Sequence, residues 1–370
     1  MRVLVATDAW RPQINGVVRS LERMIAAAPD FGATAQALTP EGFHQIGLPS
    51  YPDIRLALAT RRALAERIGQ FGPDHIHIAT EGPIGWLTRA VCLAQKRPFT
   101  TSYHTRFPQY VAARWPIPES WSYGLLRRFH GPAAAVMVST PTVEEELRQY
   151  GFQKLVRWGR GVDLSLFHPR AQSVLDLPRP IFLSVGRVAV EKNLDAFLSL
   201  RLPGSKVVVG DGPARADLQR AYPDAHFLGV KEGDDLAAIY ASSDVFVFPS
   251  LTDTFGIVLL EAAASGLPVA AFPVQGPRDV FAGSGAAVLD EDLRAAAMQA
   301  LRVRRETCLE LAAGHSWASS AAQFYGHIRR VAQQAGYLPR EAGAAAASSF
   351  TAFANGRGAE GRGLSGRLPA

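Results

Sequence analysis

Two cations lie five residues apart on a segment that follows a short apolar run. The run Ile181 to Val185 leads into Gly186 and Arg187, and Lys192 follows. At the carboxyl end of a strand, a guanidinium and an ammonium group can hold the two phosphates of a leaving nucleotide diphosphate, because each places positive charge where negative charge develops. A solvated surface loop is the alternative interpretation of these residues.

Two acids eight residues apart form a second candidate. Asp253 follows another apolar run, and Glu261 lies in the helical pattern beyond it. The arrangement suits a ligand with hydroxyl groups at both ends, with Asp253 toward a hexose and Glu261 toward a ribose diol. The backbone amides between them, directed toward phosphate, are those of Phe255, Gly256, Ile257 and Val258. A hydrolase with paired carboxylates and a simple helix cap at Asp253 are the alternatives.

A single glycine marks the turn after the first apolar run. The segment contains Asp8, Asn15 and Gly16 and is followed by a helical pattern. A glycine before a helix lets backbone amides approach a phosphate, which the helix N-terminus also favours. The segment lacks the Gly-x-Gly-x-x-Gly spacing of a dinucleotide site, so a structural turn is the alternative.

Short apolar runs alternate with helical stretches in two series, which is typical of βα units in parallel sheets. The predicted strands lie near 3–7, 33–38, 75–79, 99–103 and 135–139, and near 181–185, 206–209, 225–228, 245–248 and 269–272. The pattern predicts an α/β fold in which two Rossmann-like domains face each other across a cleft. The predicted parts are an N-terminal domain (1–167), a C-terminal domain (180–315), a closing helix (316–337) and a disordered tail (342–370).

Four segments together resemble glycosyltransferase family 4. They are Gly186-Arg187-x-x-x-Glu-Lys192-Asn, the acid pair Asp253 and Glu261, the loop around Asn15-Gly16-Val-Val, and Gly161-Val-Asp163. The resemblance covers roughly residues 1–335 and includes bacterial glycolipid synthases and alpha-mannosyltransferases. It implies the GT-B architecture and a retaining transfer without a bound metal. It also implies that Arg187 and Lys192 bind the donor diphosphate, Glu261 the ribose and Asp253 the sugar, with Gly16 near the phosphates.

The family also has a histidine near the reacting centre, which His104 matches in the segment Tyr103-His104-Thr105. We assign His104 to the donor sugar or the acceptor hydroxyl, with satisfaction of a loop backbone as the alternative. Asp8, Asn15 and Thr105 are expected on the acceptor or sugar side. The sequence departs from the common pattern at Asp253, where Glu is usual, and at Arg160, where many relatives carry Asn.

The charge and composition of the chain indicate which partners it can bind. The chain has 370 residues and a net charge of +6, and residues 1–163 carry all of that excess, with 19 Lys+Arg against 13 Asp+Glu. Arginines interleaved with Trp115, Trp121 and Tyr123 suggest contact with anionic lipid, although a solvated helix face is the alternative. No nucleic-acid motif accompanies this bias, so nucleic-acid binding is not expected.

The spacing of the cysteines and acids and the length of the apolar segments indicate which cofactors and which cellular compartment to expect. Cys92 and Cys308 have neither disulfide nor metal spacing, and Asp290-Glu-Asp292 is predicted to cap a helix, so no metal or other cofactor is expected. The N-terminal run meets Asp8 too early to form a signal-peptide core, and no stretch is long enough to span a bilayer. We therefore expect a cytoplasmic protein, peripheral on the inner membrane where it binds lipid.

The predicted function is the retaining transfer of a hexose from a UDP- or GDP-sugar to an acceptor, with a membrane lipid such as diacylglycerol or a glycolipid favoured. A polysaccharide or a soluble acceptor is the first alternative. Two further classes remain open: a sugar-nucleotide epimerase, which would convert the donor without an acceptor, and a nucleotide-sugar binding protein, which would turn nothing over.

Overall fold

The computed structural model describes residues 1–13, 15–48, 51–104, 118–252 and 255–337. The strands in these residues are β1 (Arg2–Ala6), β2 (Thr34–Leu38), β3 (His44–Leu48), β4 (Tyr51–Leu58), β5 (His75–Ile78), β6 (Phe99–Tyr103), β7 (Ala135–Val138), β8 (Leu155–Arg157), β9 (Ile181–Val185), β10 (Ser205–Val209), β11 (His226–Phe227), β12 (Val245–Phe248), β13 (Val269–Ala271) and β14 (Ala287–Leu289). The α-helices are α1 (Gly16–Ala26), α2 (Arg61–Phe71), α3 (Pro83–Ala94), α4 (Glu119–His130), α5 (Pro141–Gln149), α6 (Leu194–Leu198), α7 (Arg215–Ala221), α8 (Gly233–Ala241), α9 (Ile257–Ala264), α10 (Gln275–Phe281), α11 (Leu293–Ala300), α12 (Arg305–Ala313) and α13 (Trp317–Gln334).

The strands form two parallel sheets of six strands each and one antiparallel hairpin. The first sheet has the order β2-β1-β5-β6-β7-β8, and the second has the order β11-β10-β9-β12-β13-β14. The second order is that of a doubly wound Rossmann sheet, in which the chain reverses direction between β9 and β12 and leaves a crevice at their carboxyl ends. The predicted α/β fold with two Rossmann-like sheets is confirmed.

Alternate residues of the central strands pack on opposite faces of each sheet. In β1, Val3 and Val5 join the cluster formed with α1 and α13, whereas Leu4 and Ala6 join the cluster formed with α2 and α3. Because helices cover both faces, nearly every residue of such a strand is apolar. This double burial is the reason that the strands were recognisable as short continuous apolar runs.

The last helix, α13, packs against the first sheet although it follows the second in sequence. The hydroxyl of Tyr325 donates to the carbonyl of Met24 at 2.6 Å, and the indole of Trp158 donates to Ser320 Oγ at 3.0 Å. The chain therefore passes between the two halves twice. An isolated parallel bridge between Val162 and Ser316 joins these two passages. A closing helix was predicted here; the domain boundaries themselves stay predictions, and the predicted tail lies outside the described residues.

Among the described residues, none of the helices has both the length and the apolar character needed to cross a bilayer.

Candidate active site

The loop after β9 is fixed against two neighbouring loops at the crevice of the second sheet. It carries the predicted Gly186, Arg187 and Lys192, and both cations are partly buried. After Lys192, Asn193 adopts a left-handed conformation with φ 52°, and its Nδ2 donates to the carbonyl of Pro249 at 3.1 Å. The loop that carries both cations therefore lies beside the segment that follows β12.

Two glycines after β10 support the same loop and were missed in the sequence. A Cβ at Gly210 would lie 1.9 Å from the carbonyl oxygen of Gly186, and one at Gly212 would lie 2.3 Å from that of Val188. Their φ angles, 133° and 158°, also suit glycine. The pattern Gly-Asp-Gly directly after a strand was the available signal for this backbone-to-backbone contact.

The crevice also contains the N-terminus of α9. Gly256 precedes the helix with φ 78°, Phe255 is buried beside it, and Ile257 and Val258 form the first turn. The unpaired amides and the dipole of a helix N-terminus attract phosphate. The phosphate contacts of Gly256, Ile257 and Val258 stay a prediction, and Asp253 lies outside the described residues.

Glu261 is buried in α9 and is bound from both halves of the chain. Its Oε1 accepts from Arg19 Nη1 at 2.7 Å, and its Oε2 accepts from the hydroxyl of Tyr240 at 3.1 Å. Burial raises the pKa of the Glu261 carboxyl, and the charge of Arg19 opposes that effect. Neither partner was predicted, because each lies far from Glu261 in sequence.

The N-terminus of α1 faces that of α9 across the cleft. Asn15 caps α1, since its Oδ1 accepts from the amides of Val17 and Val18 at 3.0 Å each. A Cβ at Gly16 would lie 3.4 Å from Ile257 Cδ1. A cavity of about 390 Å³ opens beside this contact, lined by residues that include Arg19 and, from the second half, Glu232.

Asp8 is engaged at another helix end. Its Oδ1 accepts from the amide of Ile84 at 2.8 Å, and its Oδ2 accepts from Thr80 Oγ1 at 2.9 Å and from the amide of Gly85 at 3.2 Å. Burial raises the pKa of the Asp8 carboxyl. These contacts are those of a residue that holds the N-terminus of α3, and the acceptor-side role of Asp8 stays a prediction.

His104 lies directly after β6 against residues that follow β8. Its Nδ1 lies 2.8 Å from Arg160 Nη2, and its ring meets the Trp158 ring edge-on at a centroid distance of 5.6 Å. Burial, then Arg160 and two other histidines, hold the pKa of His104 well below its ordinary value. Thr105, predicted beside it, lies outside the described residues, as does Trp115.

Other polar clusters have structural contacts. His75 and His77 share Thr100 Oγ1 at 3.0 and 2.9 Å. Asp292 caps α11 as predicted, accepting from the amides of Arg294 and Ala295. Within the ranges that the structure describes, no three His, Cys, Asp or Glu side chains come close enough to hold a metal ion.

Two family models match the chain in succession. Residues 14–166 match Glycosyltransferase Family 4, and residues 179–305 match Glycosyl transferases group 1. A solved structure of sucrose-phosphate synthase from Thermosynechococcus elongatus has a TM-score of 0.72 at 20% identity, covering 89% of this chain and 98% of that one. This likeness supports the fold.

Three relatives extend the comparison. Sulfoquinovosyl transferase SQD2 of Arabidopsis thaliana is 33% identical over 65% of this chain, and the match spans half the length of SQD2 (50%). A GDP-mannose-dependent alpha-mannosyltransferase of Mycobacterium tuberculosis is 31% identical over 76% of this chain and 81% of its own length. Alpha-monoglucosyldiacylglycerol synthase of Streptococcus pneumoniae is 27% identical over 73% of this chain and 71% of its own.

The mannosyltransferase is matched over most of its length, and the two family models follow one another as the two sheets do. The chain therefore belongs to glycosyltransferase family 4.

Proposed function

We propose that the protein is a retaining glycosyltransferase that moves a hexose from a UDP- or GDP-sugar to a membrane lipid such as diacylglycerol or a glycolipid. The observation that carries the proposal is the meeting of four elements at one crevice. The loop with Arg187 and Lys192 is tied to the end of β12, and the N-terminus of α1 lies close to that of α9. Cations, helix N-termini and a buried carboxylate suit a nucleotide diphosphate.

In this proposal the donor occupies the crevice between the sheets. Arg187 and Lys192 bind the diphosphate together with the backbone at Gly16, Gly186 and the first turn of α9, and Glu261 binds the ribose. Asp253 and His104 contact the hexose or the acceptor hydroxyl. Asp8, Asn15 and Thr105 belong to the acceptor or sugar side.

The departure of the diphosphate determines where the site needs positive charge. As the bond to the hexose breaks, negative charge grows on the leaving oxygens while the sugar becomes oxocarbenium-like. Fixed cations lower the barrier because they stabilise that charge more than they stabilise the bound donor. The acceptor hydroxyl enters from the same face as the leaving group, which retains the configuration, and its proton passes to the departing diphosphate oxygen.

Relatives differ in the donor that their names give. The mycobacterial relative is dependent on GDP-mannose, and the plant relative transfers sulfoquinovose. We therefore propose a nucleotide-sugar donor and keep both UDP- and GDP-hexoses in the test.

The lipid acceptor is supported by a relative and by a helix surface. The pneumococcal relative is named as a synthase of a glucosyldiacylglycerol. On α4, Trp121 is 76% exposed and Leu125 is 50% exposed, one helical turn apart, and Arg128 continues the same exposed stripe. Such a surface can insert aromatic and aliphatic side chains among anionic headgroups. We propose a peripheral position at the cytoplasmic face of the inner membrane.

The test incubates the purified protein with radiolabelled UDP- and GDP-hexoses, a bacterial lipid extract and EDTA, and measures label in the organic phase. Labelled lipid from one donor identifies that donor and supports metal-independent transfer to lipid. The variant Trp121→Ser/Leu125→Ser should lose lipid product while it still binds the donor, and Leu93→Ser, at an exposed position on α3, is its control.

Other outcomes would contradict parts of the proposal. Donor binding without lipid product, followed by product with a polysaccharide or a soluble acceptor, would overturn the lipid assignment. Conversion of the donor hexose without any acceptor would indicate an epimerase. Binding of the donor with no turnover under any condition would indicate a binding protein.

A further inference from the structure

Arg160 is a buried cation at the carboxyl edge of the first sheet. It follows β8 and is only 7% exposed. Its guanidinium carbon lies 4.1 Å from the centroid of the Trp158 ring, and its Nη1 donates to the carbonyl of Trp158 at 3.1 Å. Within the described residues, Arg160 forms no ion pair with a carboxylate, and burial accounts for the lowering of its pKa to about 9.

The contact between Arg160 and His104 fixes the direction of a hydrogen bond. Every polar hydrogen of a guanidinium is donated and none of its nitrogens accepts, and with a pKa of about 9 Arg160 remains charged at neutral pH. At 2.8 Å, Nη2 must therefore donate to Nδ1 of His104, so that Nδ1 carries no proton. In the neutral imidazole the proton then resides on Nε2.

The surroundings of His104 keep the ring neutral. Among the described residues, its ionisable neighbours include His77 on β5, His130 at the end of α4 and Arg160, and each disfavours a positive charge on the ring. Protonation at Nδ1 would also break the bond from Arg160. The His104 pKa therefore lies well below neutrality, and burial is the largest cause.

Arg160 is itself held in place from a distant part of the chain. The Trp158 ring on which it lies donates through Nε1 to Ser320 Oγ at 3.0 Å and packs against Phe324, both on α13. The amide of Gly159 donates to Gln323 Oε1 at 2.8 Å. The guanidinium thus has a fixed plane and a fixed position relative to His104.

We propose that Arg160 is a positioning residue that fixes His104 as a neutral hydrogen-bond donor through Nε2, directed to a hydroxyl of the sugar or the acceptor. This inference rests on the proposed function, because it takes His104 to face the transferred sugar. Its consequence is that His104 orients a hydroxyl and does not accept the proton of the acceptor. Many relatives carry Asn at this position. An Asn has no charge to oppose protonation of His104, so the role depends on the arginine.

The first experiment needs no substrate. Two-bond ¹H–¹⁵N spectra of protein labelled in its histidines report the tautomer and the charge of each ring, and the variant His104→Gln identifies the signal of His104. We expect a neutral ring with the proton on Nε2 at pH 8 and still at pH 6.5, the ordinary pKa of a histidine. A proton on Nδ1, or a charged ring near pH 6.5, would overturn the proposal even if hexose transfer is confirmed.

The second experiment measures turnover. Arg160→Met should lower kcat on the order of 10- to 100-fold with a smaller change in donor KM. The reason is that the hydroxyl that His104 orients would be poorly placed for reaction, whereas the donor would still bind. As the pH falls, the variant should also lose activity at a higher pH than wild type does, because removal of the Arg160 charge raises the pKa of His104 although burial, the larger cause, still lowers it. Arg160→Lys, which keeps a charged donor, should restore part of kcat.

A double-mutant cycle tests whether Arg160 acts through His104. In a His104→Ala background, Arg160→Met should have little further effect on kcat, whereas independent roles would give additive losses. Additive losses, or a Met variant with the pH profile of wild type, would overturn the proposal. Binding of UDP or GDP and the melting temperature serve as folding controls; if the Met variant does not fold, Arg160→Gln takes its place in the cycle.

Discussion

At the scale of single residues, the charge of Lys192 is tied most directly to turnover. We expect Lys192→Met to lower kcat by about 100-fold or more, because a fixed cation is lost where the diphosphate departs. The matched control is Arg220→Met, which removes an exposed cation that pairs with Asp217 on α7. Steady-state kinetics with the identified donor measure both variants, and a Lys192→Met enzyme within about threefold of wild type would contradict the assignment.

The carboxylate of Glu261 gives a second expectation at this scale. If it binds the ribose diol, wild type should prefer a nucleoside diphosphate over its 2′,3′-dideoxy analogue by roughly 10- to 100-fold, the value of a hydrogen bond to a charged group. Glu261→Gln should lose most of that preference. Calorimetric titration with UDP, GDP and their 2′,3′-dideoxy analogues measures this preference. The control is Glu22→Gln, which alters an acid that lines the nearby cavity. An unchanged preference in Glu261→Gln would show that the ribose lies elsewhere.

Residue types could be predicted from the sequence, but their partners could not. The position of Glu261 after a glycine and a strand indicated a ligand site, yet its bonds to Arg19 and Tyr240 depend on how the sheets and helices face each other. Arg160 was recognisable as a departure from the family pattern. Its contact with His104, 56 residues away, required the fold.

At the scale of elements, burial on both faces decided which strands were predictable. The runs at β6 and β9 matched the structure to the residue, because every position of these strands is apolar or buried. The three-residue edge strand β8 was missed, since its residues are half-exposed or exposed and only its pairing with β7 defines it. The antiparallel hairpin of β3 and β4 was missed because it lies outside the βα alternation.

Strand β5 should make stability depend on pH. Burial lowers the pKa of His75 to about 3, whereas an unfolded chain has the ordinary value of 6.5. Below pH 6.5 the unfolded state therefore binds a proton that the folded state does not, and stability falls with the pH. At pH 5 the loss should be about 2 kcal/mol of unfolding free energy through this residue.

Urea denaturation of wild type and His75→Gln at pH 7.5 and pH 5 measures this effect. The variant should have a shallower pH dependence, whatever its overall loss of stability. His168→Gln, at an exposed position, should keep the wild-type slope. If His75→Gln also keeps that slope, the histidine does not carry the linkage.

At the scale of the whole molecule, the two halves are joined near the proposed donor site. Arg19 on α1 reaches Glu261 on α9, and Thr142 on α5 donates to Asp279 on α10. The return of α13 to the first sheet adds a second covalent crossing between the halves. A donor whose ribose binds Glu261 must share that carboxylate with Arg19 or displace it, so donor binding and the relation between the halves are linked.

Loss of Arg19 should therefore destabilise the assembled molecule. Arg19 is 31% exposed and the Glu261 side chain 4% exposed, so the pair is partly screened on one side. We expect Arg19→Met to lower the unfolding free energy by about 1–3 kcal/mol, because a buried carboxylate keeps its desolvation cost and loses its cation. In a Glu261→Gln background the same substitution should cost much less, and denaturant unfolding of the four proteins measures the difference. Equal costs in both backgrounds would mean that this ion pair does not hold the halves together, and the link between donor binding and closure would have to run through Gly16 and Ile257 instead.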